Sequence, residues 1–357
     1  MRIAYLVNYD ISTNSGVVYK ILQQTKQWSE YGHDVYIVSL KTLTMYDSKL
    51  DKITKLRPSN FKFKKIGTFL NLLFNSFYIN KLITGMRFDI IYMRYQLYIP
   101  FFTKILKKNT IVMEINSDDV SEYKLNSKIT YCYNLFTRNI ILKNVNAFIS
   151  VSNELKKRFT SFNRPVEVIA NGINTDKFNC VANNNNRPIF VFIATPNQPW
   201  HGFDKILQMA EYFKDYDFNI IGYDGQNTSN LKYFGYLNMQ EATEVIQKSD
   251  IGIGTLSLYK NNMFEASPLK TRQYLACGIP MIYAYEDTDI QEVKSFGLKL
   301  ENSENNVDYK KIQSFVERVF NSKEIRLKAR NYAVSYLDFK IKEKQRLEFF
   351  KKVLSES

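Results

Sequence analysis

Cysteine and histidine are both scarce in this 357-residue chain, which has three of the first and two of the second. Cys132, Cys180 and Cys277 lie far apart, are odd in number and form no CxxC pair. That spacing suggests neither a zinc cluster nor a disulfide framework and fits a reducing compartment. A secretory leader is not expected either: the apolar run within the first ten residues is too short, and no small-residue cleavage site follows. The expected location is therefore cytoplasmic. The most apolar stretch, residues 66–83, is interrupted by Asn71, Asn75, Asn80 and Lys81, so it reads as a buried or interfacial helix rather than a membrane span. Acidic residues are outnumbered 35 to 49 by Lys and Arg, which gives a formal net charge of +14 and a pI near 9.3. Such a field draws anions of any kind. The basic runs Lys62-Phe63-Lys64-Lys65, 104–108 and Lys156-Lys157-Arg158 read as solvated faces. No nucleic-acid motif accompanies them, so nucleic acid is not an expected partner.

What the chain does contain is alternation. Ile3-Ala4-Tyr5-Leu6-Val7 is a continuous apolar run of the kind that a parallel strand buried on both faces requires. A polar loop over 10–16 and a helical pattern over 17–31 follow, then Gly32-His33 and a second strand, Val35-Tyr36-Ile37-Val38. Here His33 reads as a turn residue. Further strands are predicted at 89–93, 110–115, 147–151 and 166–170, most of them separated by helical patterns. After Asn171-Gly172 and the polar stretch 181–188, a second series opens with strands at 189–194, 218–221, 251–254 and 280–283, and the tail over 307–354 is helical. The length exceeds what one core organises. The pattern therefore predicts an α/β protein of two Rossmann-like, doubly wound parallel-sheet domains facing across a cleft, with the boundary after residue 170. The second domain is expected to span 171–335, and a C-terminal helix over about 336–357 to pack back on the first.

The stretch from Phe264 to Pro280 is the most informative. Ser267 suits an N-cap and Pro268 the first helical position, while Gly278 and Pro280 stop the helix. Lys270 and Arg272 then fall in or near its first turn, where the helix dipole disfavours cations unless an anion binds. Either both side chains reach solvent or the terminus is an anion site. Glu265, just before the helix, either projects into the same crevice, caps the helix or pairs with Lys270.

These residues resemble the signature of retaining glycosyltransferases of family 4, which have the GT-B fold. In that family a glutamate, seven intervening residues and a second glutamate run into a short helix followed by a small residue, Gly and Pro. Glu265 matches the first glutamate, whereas Gln273 stands where the second is expected. Ile169-Ala170-Asn171-Gly172-Ile173-Asn174 with Phe178 is similar to the family's interdomain segment, and Asp89-Ile90-Ile91-Tyr92-Met93-Arg94 resembles a strand-to-loop segment of its acceptor domain. Trp200-His201-Gly202-Phe203-Asp204, Ile220-Ile221-Gly222 and Phe234-Gly235-Tyr236-Leu237 resemble its donor-domain loops.

The resemblance implies a nucleotide diphosphate sugar as donor substrate, no separate cofactor and no metal. Lys270, with His201, is expected to hold the diphosphate, and Glu265 the sugar hydroxyls. Gly202, Ser267, Leu269, Gln273, Gly222, Gly235 and Tyr236 are expected around the rest of the donor. His201 occupies the position of the family's loop lysine, and the accompanying arginine is missing; the histidine reads either as a phosphate donor, stronger if protonated, or as a packed loop residue. On the acceptor side the candidates are Gly16, Arg94, Glu114 and Asn116, with Glu114 and Asn116 sharing one strand face. Gly16 also reads as a simple turn in the Asn14-Ser15-Gly16 loop. Asp287-Thr288-Asp289 has the pattern of a metal-binding motif from another fold, but helix capping explains it. The acceptor implied is a glycan or a lipid-linked sugar of bacterial surface polysaccharide synthesis, with peripheral contact to an anionic membrane. A sugar-nucleotide 2-epimerase and an inactive binding protein of the same fold are the alternatives.

Overall fold

The computed structural model describes residues 1–13, 15–55, 64–291, 294–305 and 307–356. Asn14, Lys62-Phe63 and Glu292-Val293 lie outside the described residues, as do the side chains of 64–72. The chain divides into two units, Met1–Ile169 with Glu343–Ser357, and Ala170–Lys342.

The first unit carries strands β1 (Arg2–Val7), β2 (Asp34–Ser39), β3 (Thr44–Tyr46), β4 (Lys52–Lys55), β5 (Ile90–Arg94), β6 (Ile111–Ile115), β7 (Ala147–Ser150) and β8 (Val166–Val168). Its helices are α1 (Gly16–Glu30), α2 (Lys64–Thr84), α3 (Phe102–Lys108), α4 (Asp119–Asn126), α5 (Lys128–Leu142) and α6 (Asn153–Phe159). The sheet order is β4-β3-β2-β1-β5-β6-β7-β8. All pairings are parallel except those of β3, which runs antiparallel to both neighbours. The central strands are apolar and buried, because helices cover both faces of a parallel sheet. The predicted strands are present; β3 and β4 are additions. They are short, and a register shift between Met45 and Tyr46 breaks their alternation, so no period-2 signal reaches the sequence.

The second unit carries β9 (Ile189–Ile193), β10 (Asp217–Ile221), β11 (Leu231–Tyr233), β12 (Ile251–Ile253), β13 (Glu265–Ala266), β14 (Met281–Tyr283), β15 (Glu286–Asp287) and β16 (Gly297–Lys299). Between and after them lie α7 (Phe203–Tyr212), α8 (Met239–Gln247), α9 (Leu269–Ala276), α10 (Tyr309–Val319) and α11 (Lys323–Tyr332). Six strands form an all-parallel sheet, β11-β10-β9-β12-β14-β16, while β13 and β15 make a separate two-residue ladder. Asn238 and Glu241 start α8 with a reciprocal capping box. The final helix, α12 (Phe339–Ser355), contributes Phe350 to the first unit's core, where its ring meets Trp28 and Tyr92 at centroid distances of 5.6 and 5.2 Å. No helix among the described residues is long and apolar enough to cross a membrane.

Strand order reverses between β1 and β5 in the first sheet and between β9 and β12 in the second. Ligands of open α/β sheets bind beyond the carboxyl ends of the strands at such reversals.

Candidate active site

In the second unit, the reversal brings the loop after β9 against the loop after β12. Leu256 N–H donates to the His201 carbonyl at 3.2 Å, and Ser257 N–H to the Trp200 carbonyl at 3.1 Å. Gly202 starts α7 with φ +73°, and a Cβ there would lie 2.9 Å from both Leu256 Cβ and Ser257 Oγ. Only glycine satisfies both the left-handed backbone and that approach. The loop after β10 closes in similarly: Gly222 has φ +93°, and a Cβ on it would stand 1.9 Å from the Ala194 carbonyl oxygen. Gly222 N–H donates to the Gly235 carbonyl at 2.7 Å, and Tyr236 beside it is largely exposed.

Into this junction α9 delivers Lys270. Its side chain is buried, with Nζ 3.3 Å from His201 Nδ1 and 4.4 Å from the centroid of the Phe192 ring. No carboxylate among the described residues pairs with it. Burial pushes the ammonium down to about 7. Burial, and then the charge of Lys270, push His201 down to about 2, so the imidazole is neutral. A protonated Lys270 must donate to Nδ1, which leaves the proton on Nε2 as a donor for something else. This corrects the expectation that His201 gains by protonation: burial, and then the lysine beside it, disfavour the second charge.

The beginning of α9 also differs from expectation. The N-cap is Pro268, which offers no side-chain acceptor, and the helix starts at Leu269. Ser267 does not cap it, because its Oγ accepts from Asn171 N–H at 2.7 Å. The first amides of α9 therefore lack a side-chain cap, as they must if a ligand is to use them. Arg272 is not solvated. It is fully buried, its guanidinium gripping Asp287 through two hydrogen bonds, and Nε donates to the Asn171 carbonyl at 3.1 Å. Lys342 reaches Asp289 at 2.7 Å. Asp287 and Asp289 thus serve this ion cluster, and Asp287 Oδ1 also accepts from the N–H groups of Asp289 and Ile290 at 3.1 and 3.3 Å, which caps the turn there, although Ile290 and Gln291 are not helical. Gln273 is turned towards α8 and buried, its Nε2 donating to Thr243 Oγ1 at 3.2 Å. Glu265 is half-buried on β13, whose partner residue is Glu286.

The first unit treats its charged candidates differently. Glu114, expected to line an acceptor surface, is completely buried. Its carboxylate meets Lys20 Nζ at 2.6 Å, Arg94 Nη1 at 3.6 Å and Arg346 Nη1 at 3.8 Å, and it accepts from Tyr5 Oη at 3.2 Å. Burial alone would raise its pKa, but the three cations hold it well below the usual carboxylate range. It is a fixed counter-charge enclosed in the core and does not line a surface. Asn116 accepts from Lys20 Nζ at 3.2 Å, and Arg94 packs over the Tyr9 ring at 5.7 Å. Gly16 opens α1 behind Ser15, whose Oγ accepts from Val18 N–H.

Sequence reasoning overlooked Lys20, Phe192, Asn171 and Arg346. A signal existed for Lys20: it shares the buried face of α1 with Ile21, Gln24 and Trp28, where a polar pair at i and i+4 is out of place without an internal partner.

Residues 14–177 match the family model described as Glycosyltransferase Family 4. No curated protein matches the chain. Among solved structures it is similar to a sucrose-phosphate synthase from Thermosynechococcus elongatus, with a TM-score of 0.79 at 14% identity over 100% of both chains. A glycosyltransferase from Rickettsia africae superposes with a TM-score of 0.68 at 17% identity, over 100% of this chain and 99% of the other. The catalytic domain of starch synthase IV from Arabidopsis thaliana, bound to ADP and acarbose, does so with a TM-score of 0.70 at 14% identity over 99% of each. At such identities the likeness concerns the fold, and that fold is GT-B.

Proposed function

We propose that this chain, whose N-terminal unit is a family 4 glycosyltransferase domain on a GT-B fold, moves a hexosyl or related group from a nucleotide diphosphate sugar to a hydroxyl. The observation that carries this reading is Lys270: a buried cation with no carboxylate partner among the described residues, 3.3 Å from a neutral histidine, at the uncapped start of α9. Burying a charge without a partner is costly. A diphosphate supplies the missing anion, and its oxygens would meet the ammonium, the His201 Nε2–H and the first amides of α9.

Charge develops on the diphosphate as the bond between it and the anomeric carbon breaks, so donors aimed there stabilise the transition state more than the ground state. The acceptor oxygen bonds to the anomeric carbon. Its proton passes to a phosphate oxygen of the leaving group, and the configuration is retained, as the family resemblance implies. Glu265 is assigned to the donor sugar's hydroxyls, with Gly202, Gly222, Gly235, Tyr236, Ser267, Leu269 and Gln273 around the nucleotide. Gly16, Arg94 and Asn116 are assigned to the acceptor side. The acceptor class, a glycan or lipid-linked sugar of bacterial surface polysaccharide synthesis, rests on the same resemblance.

The test is turnover of a panel of UDP-, GDP- and ADP-sugars with the wild type and Lys270→Ala. Loss of one preorganised donor lowers kcat by about 10²–10³-fold. Equal turnover by the variant would refute the role of Lys270. Conversion of the donor to its 2-epimer, without transfer, would replace the transferase reading with an epimerase.

A further inference from the structure

Helix α5 exposes large apolar side chains. Ile141 and Leu142 bury its C-terminal turn, and ahead of them its inward side is polar: buried Asn134 donates to Asp119 at 2.6 Å, and Arg138 grips the same carboxylate through two hydrogen bonds of 2.9 Å. Its outward side is apolar, with Ile129 and Phe136 each 84% exposed and Tyr133 and Ile140 exposed on the same stripe. Positions 129, 133, 136 and 140 recur at helical spacing, so the stripe is one continuous face. It does not end with the helix. Tyr133 Oη donates to the Tyr98 carbonyl at 2.8 Å, and Asn80 of α2 donates to the Phe101 carbonyl at 2.9 Å. The 98–101 turn therefore joins α5 to α2, adding exposed Phe101, held at a left-handed φ of +63°, and exposed Phe77. Bulky side chains avoid that backbone region, and here it carries an aromatic into solvent.

Cations border these anchors. Exposed Lys81 lies four residues from Phe77, exposed Lys104 three from Phe101, and exposed Lys128 adjoins Ile129. Among the described residues from 73 to 143, Asp89 is the one exposed acid. Apolar anchors inside a fringe of lysines match the two layers of an anionic bilayer surface, acyl boundary beneath and negative headgroups around. A second copy of the chain would bring the same lysines against one another.

We propose that the face formed by α5, the 98–101 turn and the C-terminal half of α2 docks the protein on an anionic lipid bilayer. For the proposed transferase this makes the acceptor a lipid-linked one. That consequence rests on the transferase reading, whereas the docking does not.

The experiment is co-sedimentation of the full chain with phosphatidylcholine vesicles and with phosphatidylcholine–phosphatidylglycerol vesicles at low salt. Three proteins are compared: the wild type, Ile129→Ser with Phe136→Ser, and Lys104→Glu with Lys128→Glu. The expected result is about tenfold more wild type bound to the anionic vesicles, and about tenfold less of each double variant. Equal binding to both vesicle types, no binding, or double variants that bind like the wild type would overturn the proposal. So would light scattering that finds a dimer which Phe136→Ser dissolves, since a second copy would then cover the face. Calorimetry with UDP, GDP and ADP on the same three proteins keeps the readings apart. Unchanged nucleotide binding in the double variants confines the loss to docking, while wild type that sediments with anionic vesicles but binds no nucleotide sinks only the donor reading.

Discussion

Two buried lysines, one in each unit, are treated in opposite ways. Lys20 sits in the first unit 2.6 Å from Glu114, and the surrounding Arg94, Arg346 and Glu343 complete a cluster bound by hydrogen bonds and ion pairs. Burial lowers its pKa to about 8, with Glu114 opposing the fall. Among the described residues Lys270 has only a neutral imidazole and an aromatic face, and burial takes it to about 7 with no carboxylate there opposing the fall. Both lie in helices and both are desolvated. The first is compensated within the fold and serves its architecture. The second is left for an incoming anion to compensate, which is what a binding site needs and a core does not.

Breaking the compensated cluster has the largest expected effect. Glu114→Ala strands Lys20 and Arg94 in the core and leaves Arg346 to Glu343, and removal of one partner of a buried ion pair costs about 3–5 kcal/mol. Urea denaturation would read that loss directly, and a variant as stable as the wild type would erase the contrast.

The opposite sign is expected at the uncompensated site. Lys270→Met removes a buried charge and keeps the volume, so stability should hold or rise, by on the order of 1 kcal/mol. The sign with pH follows from a folded-state pKa of about 7 below the ordinary 10.5. Between those values the unfolded chain binds more protons than the folded one, so the wild type gains stability as pH rises through that window. The advantage of Lys270→Met is therefore greatest below pH 7 and shrinks towards pH 10.5. Melting curves of both proteins across that range test it, and a variant advantage that grows with pH would contradict it.

A loss of stability, smaller than that of Glu114→Ala, is expected at the loop that carries His201. Gly202→Ala forces a left-handed backbone on a residue with a Cβ, at roughly 1–2 kcal/mol, with a contact of 2.9 Å to Leu256 besides. Thermal unfolding should detect it; a neutral effect would mean that the loop does not hold its shape there.

Much of the fold was legible in the sequence, and the lysine contrast had physical reasons to stay hidden. Buried parallel strands are written as apolar runs, so the two alternating series could be read without coordinates, whereas the strand order and its reversal points come from the structure. The family resemblance carried by Glu265, Gln273 and the segments around them agrees with the family 4 match over 14–177 and with the GT-B fold. Partnerships across long intervals left no local mark. Glu114 meets Arg346 across more than two hundred residues, so nothing near Glu114 announces that its carboxylate is already engaged. Arg272 and Asp287 are fifteen positions apart, on a helix and on a two-residue ladder too short for any periodicity. Capping rules favoured Ser267, but they weigh only neighbours in sequence, and Asn171 N–H holds that hydroxyl from nearly a hundred residues away. Neutral His201 could not be read either, because the burial that suppresses its charge is a tertiary property and the lysine that adds to it is sixty-nine positions away.

The central claim, that Lys270 is a cation awaiting a diphosphate, is tested most directly by calorimetry of UDP, GDP and ADP binding at pH 8 in buffers of different ionisation enthalpy. With a free pKa of about 7 the amine is mostly neutral there, and a bound diphosphate restores the charge. The account predicts that the wild type takes up a proton on binding, that Lys270→Met does not, and that wild-type affinity falls by up to about tenfold per pH unit above 7. Nucleotide binding without proton uptake, and with equal strength in Lys270→Met, would contradict it.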